Sequence, residues 1–189
     1  MSKVEDALWL ASQHVLAPGA AASIRDLVRR WIADHPTRGR YLDVGCGPRS
    51  RLADAGVDAI GVDLHPGWGI TASATRLPFA SSAFQSVWSV GLLHHLPDPA
   101  AHKALAEMSR VTEPHGYMVV FDGVLPEERR PLAWLVRRLD HGTKFRRQRE
   151  HLELLAPFGT WQYDRITYAR TGLEGVFAWT RTPGDLRCQ

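Results

Sequence analysis

A doubly wound α/β fold, with a mostly parallel sheet, helices on both faces and a C-terminal antiparallel hairpin, is what this chain of 189 residues predicts. Three observations predict it. The run Tyr41-Leu-Asp-Val-Gly-Cys-Gly-Pro-Arg-Ser50 passes from an apolar strand through two close glycines into a helix start. About 20 residues further on, Ala59-Ile-Gly-Val-Asp63 reads as a second short apolar strand that also ends in an acid. Late in the chain, Trp161 to Tyr168 and Leu173 to Thr180 read as two strands around Thr171-Gly172, a hairpin that would close an otherwise parallel sheet.

The remaining elements follow in order. Residues 3 to 16 and 21 to 34 carry apolar side chains at helical spacing, the second set being Ile24, Leu27, Val28 and Trp31, and Pro18-Gly19 separates the two helices. A third element is expected in Ala74-Thr-Arg-Leu-Pro-Phe79, and a fourth strand at Ser86-Val-Trp-Ser-Val90. The loop Leu92-Leu-His-His-Leu-Pro-Asp98 then leads into a helix from Pro99 to Met108 with Asp98 as its N-cap. Glu107 to Gly116 leads into the apolar strand Tyr117-Met-Val-Val-Phe121, followed by Asp122. Pro126 to Leu139 and Phe145 to Leu155 read as two helices joined by the turn residues Asp140 to Thr143. The whole is one domain: N-terminal helices at 1–36, a core at 38–125, inserted helices at 126–157 and the closing hairpin at 160–181. With 44% hydrophobic residues it has apolar content enough for one sizeable core.

The glycine turn carries the first chemical information. Gly45 and Gly47 allow positive φ and close backbone approach by a ligand. Asp43 ends the strand where a dinucleotide enzyme would hold pyrophosphate, and Ser50 stands where a third glycine would complete the phosphate-binding pattern. An anion there repels phosphate and attracts an amino-bearing or cationic ligand. Asp63, at the end of the next strand, is placed for the ribose hydroxyls of an adenosine group.

Taken in order, Asp-Val-Gly-Cys-Gly (43–47), Leu-Pro-Phe (77–79), Leu-His-His-Leu-Pro-Asp (93–98) and Arg-Val-Thr-Glu-Pro-His-Gly (110–116) before a strand resemble the class I S-adenosylmethionine-dependent methyltransferases that act on small molecules. The resemblance covers roughly residues 38 to 125 and implies a Rossmann-like fold and S-adenosylmethionine as cofactor. It puts Asp43, Gly45 and Gly47 at the methionine end, Asp63 at the ribose diol, Ser73 and Ala74 at the adenine edge, and Cys46, Leu64 and Ser89 among the cofactor-binding residues. Three positions depart from the family pattern: Ser73 replaces an acid, Gln85 replaces the Asp of Phe-Asp, and His115 replaces the first glycine of Pro-Gly-Gly. Gln85 can still hydrogen-bond a turn, and His tolerates a left-handed conformation better than a β-branched residue.

His94 and His95 follow the fourth strand, at the carboxyl edge where open α/β sheets bind ligands. An imidazole there can take a proton from a hydroxyl as it attacks a methyl carbon, and Asp122 at the end of the fifth strand can orient it. Which histidine acts is left open, as is a pocket-lining role for the pair. The expected reaction is methyl transfer to a small-molecule acceptor: first a hydroxyl oxygen of a saccharide, lipid-linked compound or secondary metabolite, otherwise nitrogen or carbon. Two rivals stand beside it: a cofactor-binding protein without turnover, and a nicotinamide-dependent oxidoreductase, against which Asp43 and Ser50 count.

The formal charge is +3, and the excess lies largely between Arg129 and Arg149. A solvated helix face explains that run; an anionic substrate, a peripheral membrane contact and nucleic acid are the alternatives, the last disfavoured by interspersed acids and few stacking aromatics. The two cysteines, Cys46 and Cys188, form no disulfide framework, and the histidines His14, His35, His65 and His102 lack metal-ligand spacing, so no metal site is expected. The absence of a leader pattern and of a long apolar run points to the cytoplasm.

Overall fold

A computed structural model describes residues 20–65, 69–127, 144–168 and 172–183. The helix expected at 3–16, nearly all of that at 126–139, the turn at 140–143 and the extreme tail lie outside the described residues. Helix α1 (Ala20–Asp34) is followed by β1 (Tyr41–Val44), the single-turn α2 (Arg51–Asp54), β2 (Ala59–Asp63) and β3 (Ile70–Thr71). Then come β4 (Phe84–Val90), a 3₁₀ turn (Leu93–His95), α3 (Asp98–Val111), β5 (Thr112–Val124), α4 (Gln148–Leu155), β6 (Gln162–Thr167) and β7 (Glu174–Arg181).

Seven strands form one sheet in the order β3-β2-β1-β4-β5-β7-β6. The pairs from β3 to β5 are parallel, and β7 runs antiparallel to both β5 and β6. The chain leaves β1 in one direction to β2 and returns on its other side as β4, so the switch point and its crevice lie at the carboxyl ends of β1 and β4. That edge carries Asp43 and the His94 turn.

Each sheet face has its own core. Leu42, Val44, Val62, Val87, Met118 and Val120 pack beneath Leu105 and Met108 of α3 and Leu154 and Leu155 of α4. On the opposite face Val28 and Trp31 of α1 meet Tyr41, Leu52, Trp88 and Phe177, with Ile24 and Leu27 at the margin, so the apolar stripe read in 21–34 is the buried one. Trp31 stands edge-on to Trp88, with centroids 5.0 Å apart, a preferred aromatic geometry.

Some boundaries differ from the sequence reading. The third strand is Ile70–Thr71, and Leu77-Pro-Phe79 is a loop pinned from α3: the Leu77 N–H donates to Glu107 at 2.8 Å and Arg110 donates to the Phe79 and Leu77 carbonyls. Pro78 offers no N–H for a sheet ladder, which explains the loop. Asp98 is not an N-cap. Pro97 occupies that position without a side-chain bond, and Asp98 opens the helix while pairing with Arg146 at 2.7 Å. The last inserted helix starts at Gln148 instead of Phe145, because residues 144–147 are extended and spend their backbone groups on the His94 turn and on Leu125. The two substitutions at 85 and 115 fit as expected: Gln85 Oε1 accepts from the Gly39 N–H at 2.5 Å, and His115 adopts φ +60° inside β5.

Candidate active site

The glycine turn is built by β1 and the helix start after it. Gly45 and Gly47 have φ of +75° and +60°, the left-handed region that glycine enters without strain. A Cβ on Gly45 would sit 2.8 Å from the Leu92 side chain, whereas the side of Gly47 where a Cβ would project has nothing within 4 Å. Ser50 caps α2 by accepting from the Leu52 and Ala53 N–H groups at 3.2 Å, and its hydroxyl donates to Asp43 Oδ2. Asp43 Oδ1 is buried and has no hydrogen-bond partner among the described residues. Burial pushes the Asp43 pKa up from 3.8 to about 6, against the lowering effects of the Ser50 bond and the Arg51 charge. A buried carboxylate oxygen without a donor is a site waiting for a cationic or N–H-bearing group.

Asp63 lies beside it. Its Oδ2 accepts from the Gly47 N–H at 3.0 Å and its Oδ1 from the His65 N–H at 2.9 Å, leaving further lone pairs on both oxygens. Leu64 follows as an exposed apolar side chain, 59% accessible. Cys46 is buried; burial, reinforced by the charges of Asp43 and Asp63, pushes its thiol up to about 12, so it is a neutral packing group and no nucleophile. Ser73 accepts from the Thr75 N–H at 3.2 Å in a local turn, and Ala74 packs against the α3-side core. Ser89 is fully buried on β4 beside Val120 of β5, its hydroxyl without a partner among the described residues.

The histidine turn is held from below by Asp122. One carboxylate accepts from the Leu93 N–H at 2.6 Å, the His94 N–H at 3.2 Å, the Gly123 N–H at 2.8 Å and His94 Nδ1. An ionised carboxylate is acceptor-only, so Nδ1 carries the hydrogen and a neutral His94 presents its lone pair on Nε2. Burial alone would raise the Asp122 pKa, but the His94 charge and bond, the nearby His151 and the Leu93 N–H outweigh it and bring it down to about 2. His94 is buried and stacks on Phe145, with centroids 4.6 Å apart and planes 11° apart; His95 is exposed. The structure therefore separates two residues the sequence left equivalent.

Three neighbours of this turn escaped the sequence reading. Arg146 and His151 are buried, and Phe145 is half-buried. Arg146 looked like one more cation of a solvated run, and His151 carried no spacing signal. Arg149, by contrast, is the exposed cation expected, paired with Glu153 at 2.8 Å.

Fold and site together define an α/β domain whose switch-point crevice suits an adenosyl ligand with an amino group. Residues 42–120 match the family described as the methyltransferase domain. An uncharacterized methyltransferase of Mycobacterium tuberculosis is 38% identical over 127 residues, covering 57% of this chain and 48% of the relative. A demethylmenaquinone methyltransferase of Renibacterium salmoninarum is 36% identical over 124 residues, covering 58% and 51%. The chain spans about half the length of these curated relatives. A Burkholderia thailandensis 1,6-didemethyltoxoflavin-N1-methyltransferase, solved with S-adenosylhomocysteine, superposes with a TM-score of 0.69 at 20% identity, covering 93% of this chain and 84% of that one. No helix among the described residues is long and apolar enough to cross a membrane.

Proposed function

We propose that the protein transfers a methyl group from S-adenosylmethionine to a hydroxyl of a small-molecule acceptor, a saccharide, lipid-linked compound or secondary metabolite, with His94 as general base. The observation that carries this reading is the His94–Asp122 pair at the carboxyl edge of β4 and β5, next to the glycine turn. The cofactor, when bound, supplies an electrophilic methyl on a sulfonium. Asp43 Oδ1 would receive its ammonium, the backbone of Gly45 to Gly47 would line its methionine end, and Asp63 would hold the ribose diol. Leu64, Ser73 and Ala74 would flank the adenine. Asp122 keeps the hydrogen on Nδ1 of His94, so Nε2 takes the hydroxyl proton as the oxygen attacks. Positioning of donor and nucleophile supplies the rest of the rate. The demethylmenaquinone methyltransferase among the relatives brings in a quinone-type acceptor as a second reading.

Parallel calorimetric titrations with S-adenosylhomocysteine and NAD test the cofactor before any acceptor is known. Binding of the first and silence with the second are expected; NAD binding without S-adenosylhomocysteine binding would overturn the reading. Product formation across a panel of acceptors then separates an enzyme from a cofactor-binding protein without turnover. Asp63→Ala should lose charge-assisted bonds of about 1.5 to 3 kcal/mol and weaken S-adenosylhomocysteine about tenfold or more. An unchanged dissociation constant would show that Asp63 does not hold the ribose.

Asp43 gives the binding a pH dependence. With its pKa at about 6, the carboxylate that receives the ammonium is protonated at lower pH, so affinity should fall as pH drops through 6 and hold above it. Asp43→Asn should weaken binding and flatten this profile between pH 5 and 8. A mutant profile as steep as the native one would assign the titration to another group.

A further inference from the structure

The segment 144–147 runs across the His94 turn and grips it through polar bonds from Lys144 and Arg146. The Lys144 N–H donates to the His94 carbonyl at 2.9 Å, and the Leu125 N–H at the end of β5 donates to the Arg146 carbonyl at 2.9 Å. Arg146 is only 8% exposed. Its Nη1 donates to the Leu93 carbonyl and its Nη2 to the Leu96 carbonyl, each at 2.8 Å, and Nε and Nη2 reach Asp98 Oδ1 at 3.0 and 2.7 Å. One planar guanidinium therefore brackets the 3₁₀ turn at both ends and ties it to the first residue of α3. Phe145, between the two anchors, stacks on the imidazole.

We propose that Arg146 is a positioning residue for methyl transfer: by spanning the Leu93 and Leu96 carbonyls it fixes the rotation of the turn and so aims His94 at the acceptor. The proposal rests on His94 as base. Asp122 alone leaves the turn a pivot, because its bonds all converge on one carboxylate beneath Leu93 and His94. The guanidinium adds two anchors on the carbonyl side, and two sets of anchors remove the rotation. A rigid fork of donors can bridge two carbonyls and a carboxylate at once, whereas an ammonium is a point charge on a flexible stem. Among the described residues, the charged and titratable groups around the imidazole are Asp122 from β5, His95 on the same turn, Lys144 and Arg146 from the crossing segment and His151 from α4; Arg146→Lys leaves those charges intact.

The test is Arg146→Lys in the full chain, saturated with S-adenosylhomocysteine, read by the proton resonance of His94 Nδ1–H in its bond to Asp122. The native protein should give a downfield, slowly exchanging signal, and the variant a broadened or lost one, at a dissociation constant within about twofold of native. With an acceptor in hand, kcat should fall about tenfold or more and KM far less. Arg149→Gln, on the exposed side of α4, should match the native protein in every reading. If Arg146→Lys does not fold, Asp98→Asn weakens the same guanidinium from a 75% exposed position and should move the signal the same way by a smaller amount. A native His94 signal and native kcat in the variant, or a lowered melting temperature with the signal unchanged, would overturn the proposal. His94→Gln, run alongside, separates the two ideas: if it turns over normally the base assignment falls, while the His94 resonance in Arg146→Lys still decides whether Arg146 positions the ring.

Discussion

His94→Ala in protein that still binds S-adenosylhomocysteine should lower turnover by roughly 10² to 10⁴, the range for loss of a general base. The substitution removes the ring while leaving the His94 N–H on Asp122 Oδ2, so the turn keeps two of its backbone bonds and cofactor affinity should barely move. In the native enzyme the rate should rise with pH as His94 gives up its proton, because only neutral imidazole accepts one. His95→Ala is the matched control. Its side chain is exposed, it makes no bond to Asp122 among the described residues, and its N–H bond to the Leu92 carbonyl at 3.0 Å survives the change; the ring it loses lies 4.1 Å from the His94 ring but carries neither the Asp122 bond nor the buried position, so turnover should stay near native. Near-native rates in both variants would remove the histidines from the mechanism and leave positioning alone to account for catalysis.

The reach of the sequence is clearest in elements whose signal is local. Ala59–Asp63 is a strand to the residue, and the acids Asp43 and Asp63 lie at the carboxyl ends of neighbouring parallel strands beside the glycine turn, Asp43 opposite Gly61 and one residue short of the end of β1. Both follow from short apolar runs that end in turn chemistry within a few residues. The sequence shows Ser50 only as the residue in place of a third glycine; its N-cap role, and the bond of the same hydroxyl to Asp43, come from the structure. Illegible residues act across long separations. Arg146 reaches back to Leu93, Leu96 and Asp98, and no periodicity within 144–155 distinguishes a cation buried on carbonyls from one in solvent. The choice between His94 and His95 was closed for a similar reason. It depends on which way a three-residue turn faces Asp122, and that is set by contacts to β5 about thirty residues away.

Asp122→Ala should be the most damaging single change to the fold around the site. It strips the acceptor from the Leu93, His94 and Gly123 N–H groups and from His94 Nδ1 in a place that water scarcely reaches. Breaking one side of such a buried arrangement costs about 3 to 5 kcal/mol, a large share of a small domain's stability. Urea denaturation should report it as a lower midpoint. The pH profile adds a separate signature. Because the Asp122 pKa in the folded protein, about 2, lies below its ordinary 3.8, its contribution is whole above about pH 4 and is lost as pH falls toward 2. His151 acts in the same sense at higher pH: burial holds its pKa below 6.5, so the unfolded chain takes up that proton first and stability drops as pH falls below 6.5. Asp43 opposes both between about pH 6 and 4, since its raised pKa makes the folded state the better proton binder there. The variant should therefore lose the steep fall below 4. A stability within 1 kcal/mol of native at pH 7, together with an unchanged acid limb, would mean that the carboxylate neither holds the histidine turn nor pairs with His94 in solution.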